Sequence, residues 1–237
     1  MNKPDLTIIY YTANVLKESF AEKVRQQILK AADGLPIISI SKKPINFGIN
    51  IPDENPERST VNIYQAIQKA ARLAKTKYIA LAEDDVLYSP GHFYTYLPPE
   101  DIFAYNMTRW NIYTWSKPPF FSLKFRKILA TLIAPTNLWI ESLGERFARY
   151  PDPARIPEIW MGEPGRISCE SELGVTPRKA VDFYTYEPVV VFSHPESLGF
   201  LAQGTHKRAN VIRALEIPYW GTAERIMNDF YFDQFLI

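Results

Sequence analysis

Tyr78-Ile79-Ala80-Leu81-Ala82-Glu83-Asp84-Asp85-Val86-Leu87-Tyr88 joins an apolar, β-prone run to three consecutive carboxylates. The run reads as a buried strand. Three adjacent acids at the mouth of such a strand repel one another and resist desolvation, so a cation is expected beside them. A divalent metal is the economical choice. Hard oxygen ligands suit Mn²⁺ or Mg²⁺, and Mg²⁺ takes one or two protein carboxylates while substrate phosphates and water complete its shell. On that reading the substrate is phosphorylated. Acids after a strand also cap helices or face solvent, but Ser89-Pro90 supplies a cap residue and a first-turn proline for the next helix. A short acidic motif stays open between these two readings until its context is known.

Toward the N-terminus, Leu6-Thr7-Ile8-Ile9-Tyr10-Tyr11-Thr12 is a β-branched and aromatic run, followed by an amphipathic segment from Val15 to Ala32 that Gly34 stops. Pro36 to Ser41 gives a second strand. A βαβ unit with parallel strands follows, and in open α/β sheets ligands collect at the carboxyl ends of the strands. Thr12, Asn14, Ser41 and Lys42 all lie at such ends. Lys43 to Arg58, with Pro44, Gly48, Pro52 and Pro56, reads as an irregular loop. Ser59 then caps a helix whose buried face carries Ile63, Ala66, Ile67, Ala70, Ala71 and Ala74. That helix feeds the strand that ends in the acids. A nucleotide held at the first two strand ends would set its phosphates over a metal at the third.

Toward the C-terminus, a short helix near Gly91 to Leu97 leads to the strand Ile102 to Met107. Trp110 to Trp115 alternates aromatic and polar residues as a half-buried strand does. Lys117 to Lys127 reads as a basic, mobile loop, and Thr136 or Asn137 as the cap of a helix through Phe147. Tyr150 to Gly165, rich in Pro and Gly, predicts an unstructured lid. Ser168 to Gly174 fits one or two helical turns. Val181 to Tyr186 and Val189 to Phe192 are the last strands, the second running directly into Ser193-His194. Lys207-Arg208 beyond it could close over phosphates, the Arg bidentately, or simply form a solvated turn.

The 237 residues allow one large domain or two small ones. With 27 basic and 26 acidic residues the formal charge is +1, which argues against a dedicated nucleic-acid binder. The single Cys169 excludes an intramolecular disulfide framework and Cys-rich zinc sites, and fits a reducing compartment. No apolar run approaches the roughly 18 residues of a membrane span, and Met1 to Asp5 begins no signal peptide, so a cytoplasmic protein is expected.

This order of features resembles the nucleotide-sugar-dependent glycosyltransferases of the GT-A fold, most nearly the family 2-like group, over roughly residues 6–208. The resemblance implies an α/β fold with a mixed, mainly parallel, Rossmann-like sheet flanked by helices. It implies one domain over residues 1–237, with a nucleotide-binding half to about residue 100 and an acceptor half beyond it. By the same likeness Tyr11, Thr12, Asn14, Lys42 and Asn62 would hold the nucleoside. Glu83-Asp84-Asp85 stands where the group carries Asp-x-Asp, with Asp85 as the direct ligand of Mn²⁺ or Mg²⁺. Asp84 or Glu83 would then contact sugar or ribose hydroxyls or act through water, Asp84 being the second metal candidate. Glu170-Ser171-Glu172-Leu173-Gly174 occupies the place of a second acidic motif that supplies the catalytic base. Ser stands there where Asp is usual, which leaves Glu170 and Glu172 both open. His194 would be a further metal ligand, and Lys207 and Arg208 would meet the diphosphate. The implied reaction moves a sugar from a nucleoside-diphosphate sugar, most simply a UDP-sugar, to a hydroxyl on a glycan or other acceptor. A modified nucleic-acid base is a less favoured acceptor. Two alternatives stand beside it: a nucleotidyltransferase, for which no Gly-rich phosphate loop follows the first strand, and a GT-A-like domain that binds carbohydrate or a partner without turnover.

Overall fold

The computed structural model describes residues 3–55, 59–152, 155–194 and 212–231. The strand that carries the acids, β4 (Tyr78–Glu83), lies mid-sheet beside β1 (Leu6–Thr12), parallel to it. Parallel β2 (Ile37–Ser41) and β3 (Ile49–Pro52) extend the sheet on one side. The short β5 (Val86–Leu87) follows the acids directly. On the other side of β4 come β9 (Leu132–Pro135), antiparallel to both its neighbours, then β6 (Ile102–Asn106), and β10 (Lys179–Phe183) at the edge. The order β10-β6-β9-β4-β1-β2-β3 is thus a seven-stranded, mainly parallel sheet with helices on both faces, the α/β class expected from sequence. Strands β7 (Arg109–Tyr113), β8 (Phe121–Leu123), β11 (Val189–Ser193) and β12 (Arg213–Ala214) join β5 in a smaller five-stranded sheet.

Alternation divides the core. Leu6, Ile8 and Tyr10 of β1 and Ala80 and Ala82 of β4 face helix α1 (Glu18–Ala32) and the smaller sheet. Ile9, Tyr11, Ile79 and Leu81 face α2 (Thr60–Ala71) and α4 (Thr136–Arg149). Burial on both faces explains why β1 and β4 read as unbroken apolar runs. Because β1, β2 and β4 are parallel, their carboxyl ends open onto one edge. That edge holds Thr12, Ser41 and Glu83.

Several local expectations change. The proline-bearing stretch after Ser41 contains edge strand β3, where Pro52 is tolerated because an edge position can spare its N–H. Helix α3 (Pro90–Tyr94) starts after Ser89 as expected, but Ser89 Oγ donates to the Glu187 carbonyl and the Glu187 carboxylate accepts from the Gly91 N–H. Thr136 does not cap α4; its hydroxyl reaches back to the Thr76 carbonyl at 2.8 Å. The loop from Lys117 contains β8. The segment read as a lid is anchored: Trp160 is fully buried against Tyr64 and Phe147, and the carbonyls of Gly162 and Pro164 accept from Arg146 and Tyr105. Truncating such a tryptophan costs about 3–5 kcal/mol, a grip that a swinging lid does not have.

Candidate functional site

The acids occupy a tight turn between β4 and β5. The Tyr88 hydroxyl donates to the Ala130 carbonyl at 2.9 Å and accepts from the Glu83 N–H at 3.2 Å, so the strand folds back onto its own end. Phe192 of β11 donates its N–H to the Asp85 carbonyl at 2.8 Å, fixing the other side of the turn. Register places Tyr11 opposite Glu83, and the Tyr11 hydroxyl donates to the Glu83 carboxylate. One residue on, the Thr12 hydroxyl donates to Asp84 and accepts from the Asn14 N–H at 2.9 Å.

The positive charge expected beside the acids is partly the protein's own. Burial raises the pKa of Asp84 above the ordinary carboxylate value, and the Thr12 hydroxyl, its own N–H and the charge of Arg25 oppose that rise. Arg25 lies buried on α1, held by Glu18 and Glu22. Its sequence signal was an arginine on the apolar stripe with Ala21, Val24 and Ile28. Burial also pushes the Tyr11 phenol well above its usual value, with the charge of Glu83 adding to it, so Tyr11 stays a neutral donor.

Next to the acids, at the carboxyl ends of β1 and β2, a small cleft is lined by Tyr11, Thr12, Lys42, Asp53, Asn62 and Ile63. Four residues expected to hold a nucleoside, Tyr11, Thr12, Lys42 and Asn62, therefore meet in one place. Its volume of about 60 Å³ is far below the roughly 300–1,000 Å³ of a complete ligand pocket, so it can grip only part of a nucleotide. Lys42 bridges Asp53 and the Asn55 carbonyl, and Asn62 sits in the first turn of α2, whose Ser59 cap accepts its N–H at 3.2 Å. Asp53 was not foreseen, because a lone Asp in a proline-bearing stretch carries no pattern.

Other expected residues sit elsewhere. Asn14, at φ 52°, spends its side-chain oxygen on the Lys43 N–H at 2.9 Å and lines no part of the cleft. Glu170 must be corrected as a candidate base. It is 0% exposed on α5 (Ile167–Leu173) and accepts from the Gly165 N–H at 3.0 Å, the Arg178 N–H at 2.7 Å and Arg146 at 3.4 Å. A carboxylate so enclosed has no path to a substrate hydroxyl. Glu172 points to solvent from the same helix. His194 follows β11 close to the Asp85 backbone, but its buried ring packs on Phe20, Phe192 and Tyr231. Among the described residues no three His, Cys, Asp or Glu side chains converge on a metal position, so Asp84, Asp85 and His194 do not form a ready three-ligand set. Lys207 and Arg208 lie outside the described residues.

Beside edge strand β10, which contributes Ala180, a second, larger cavity of about 680 Å³ is bounded by Phe125, Arg126, Lys127, Glu163 and Arg166. Glu163 is the carboxylate that the fold brings into this cavity, and nothing in its Gly-Glu-Pro context marked it in the sequence.

Neither a family model nor a curated protein sequence matches the chain. Solved structures similar to it include a glycosyltransferase involved in the glycosylation of the major capsid of PBCV-1. That likeness has 12% identity over 79% of this chain and 93% of the other, at a TM-score of 0.46. The mannosyltransferase PcManGT from Pyrobaculum calidifontis, in complex with GDP-Man and Mn²⁺, is 12% identical over 85% of this chain and 60% of its own, at 0.47. The bifunctional IspDF from Campylobacter jejuni is 8% identical over 76% of this chain and 49% of its own, at 0.39. At TM-scores below 0.5 these likenesses assign the chain no substrate, metal or reaction. Among the described residues no helix is long and apolar enough to cross a membrane.

Proposed function

We propose that this chain is a glycosyltransferase that moves a sugar from a nucleoside-diphosphate sugar to an acceptor hydroxyl. The observation that carries the reading is the adjacency of the Tyr11–Asn62 cleft and the Glu83-Asp84-Asp85 turn at the carboxyl edge of a mainly parallel sheet, where ligands of such sheets bind. The two sites are joined by hydrogen bonds from Tyr11 and Thr12. A base or ribose in the cleft would leave its diphosphate pointing at the acids. We take residues 1–237 as one working domain, the donor being held mainly by its first hundred residues.

The donor set at the turn fits a hard divalent ion. Asp85 and Asp84 offer carboxylate oxygens, and among the described residues no third His, Cys, Asp or Glu side chain joins them, the arrangement that leaves coordination positions for phosphates and water. Bound there, Mn²⁺ or Mg²⁺ would supply positive charge opposite the departing diphosphate. The chain's own residues do the rest. Thr12 orients Asp84, Tyr11 orients Glu83, and Lys42 and Asn62 fix the nucleoside end. The deprotonation of the acceptor falls to Glu163, in the larger cavity, or to solvent-facing Glu172; a positioned base contributes about 10²–10⁴-fold.

A uridine nucleotide is the donor we favour. The test is a calorimetric panel of uridine, guanosine, adenosine, cytidine and thymidine diphosphates and their sugars, each with and without Mn²⁺, on wild type and Asp85→Ala. We expect one nucleoside to bind in a metal-dependent way and the variant to lose the metal dependence. Unchanged affinity in Asp85→Ala sinks the metal assignment. A flat panel on folded protein, or metal-dependent transfer of a nucleotidyl group, sinks the sugar-transfer reading.

A further inference from the structure

We infer that the cavity bounded by Phe125, Arg126, Lys127, Glu163 and Arg166 binds an anionic group of the acceptor, a phosphate or carboxylate on a sugar. The inference rests on the sugar-transfer reading above and names its acceptor class. Arg126, Lys127 and Arg166 line the cavity against one carboxylate, Glu163. Both arginines share that carboxylate, at 3.7 Å and 3.5 Å, distances longer than a charge-assisted hydrogen bond. Their side chains are 65% and 48% exposed, so most guanidinium donors face the cavity mouth or solvent. Lys127 pairs with Asp182. Exposed Phe125 adds a flat apolar wall against which a ring can lie.

Behind this wall is a cation with no ion-pair partner among the described residues. Arg109, the first residue of β7, is 5% exposed. It donates to Asn111 Oδ1 at 2.9 Å and to the Arg126 carbonyl at 3.3 Å. Among the described residues it has no ion-pair partner, and its Nε has no acceptor. Burial, with the like charge of Arg126 second, pushes its pKa down to about 10, while Glu83 and Glu163 pull the other way without touching it. Lys124 is likewise pushed down by burial and by the charge of Arg109. A buried, uncompensated cation is costly, and an arriving anion relieves that cost. The placement matters as much as the charge. Arg109 feels the charges of both Glu83 and Glu163, so the donor-side acids and the cavity's carboxylate lie within electrostatic range of one side chain. An anion held there would set the acceptor beside the donor's sugar.

The same cations could instead serve the donor's own diphosphate, and one experiment separates the two. Glucose 6-phosphate, glucuronate, glucose and inorganic phosphate are titrated into the full chain by calorimetry, with and without saturating nucleoside diphosphate and Mn²⁺. Wild type is compared with Arg126→Ser, Arg166→Ser, the double variant and Lys42→Ala, each first shown to melt as wild type does. We expect glucose 6-phosphate or glucuronate to bind at least tenfold tighter than glucose, whether or not nucleotide is present. The double variant should lose at least tenfold of that affinity and Lys42→Ala none. Three results overturn the inference: no preference for the charged sugars, affinity unchanged in the double variant, or competitive displacement by the nucleoside diphosphate. The nucleotide heats alone report on the donor reading, so the two can fail separately.

Discussion

Replacing Glu170 with alanine decides whether this carboxylate is chemistry or scaffold. In the native fold it neutralises Arg146, itself fully buried, and it accepts two backbone N–H groups that have no other acceptor among the described residues. Alanine removes all three partners at once and leaves a guanidinium in the interior, whose remaining acceptors are the Trp160 and Gly162 carbonyls. Removing one partner of a buried ion pair costs about 3–5 kcal/mol. For a chain of 237 residues each kcal/mol lowers the melting temperature by about 2–4 °C, so the variant should melt roughly 6–20 °C below wild type. Differential scanning calorimetry at neutral pH measures this. Nucleotide binding below the new midpoint should be retained, since α5 contributes nothing to the donor cleft. If the variant melts within 2 °C of wild type yet turnover disappears, the assignment of Glu170 as a structural anion is wrong and its role as base returns.

Three further outcomes are expected. Glu163→Gln and Glu172→Gln should both fold, and only one should lower kcat, by about 10²-fold or more, with donor affinity intact; loss in neither places the base elsewhere. Lys42→Ala removes a half-buried tie worth about 1 kcal/mol or less to stability. It should nonetheless weaken nucleotide binding, read by calorimetry, because Asp53 and Asn55 then shift at the cleft; unchanged affinity removes Lys42 from the site. The third outcome concerns buried His92, which burial holds at a pKa of about 3, below the 6.5 of an exposed imidazole. The unfolded chain then takes up a proton that the folded chain refuses, so stability falls as pH drops from about 7.5 toward about 3. From pH 8 to pH 5 this amounts to about 2 kcal/mol. Denaturation of wild type and His92→Phe at both pH values should show their stability difference moving by that amount, and a constant difference refutes the neutral buried imidazole.

The parallel core was legible because burial on both faces writes itself as unbroken apolar runs, and β1 and β4 are such runs. The carboxyl ends of β1, β2 and β4 point to Thr12, Lys42 and the acids; in the fold Tyr11 and Thr12 hydrogen-bond to Glu83 and Asp84, and Lys42 lines the neighbouring cleft. The predicted Tyr150–Gly165 lid was misjudged for a definite reason. Pro and Gly content reports on backbone regularity, whereas the side chains of Arg146 and Tyr105 hold this segment from other elements and its own Trp160 anchors it to the Arg146 carbonyl. Glu170 and Glu172 illustrate the same limit two residues apart: a 100° step per residue turns one into the core and the other into solvent.

The sequence by itself determined the α/β class, the position of the acidic turn and the cap of α2, since each depends on short-range pattern and local backbone preference. Tertiary structure alone decided the partners of charge. Arg25 reaches Asp84's field from α1, Arg146 closes over Glu170 from α4, and among the described residues Arg109 has no counter-ion in contact although it feels Glu83 and Glu163. Such pairings join residues far apart in the chain, and no periodicity records which charges will meet once water is excluded.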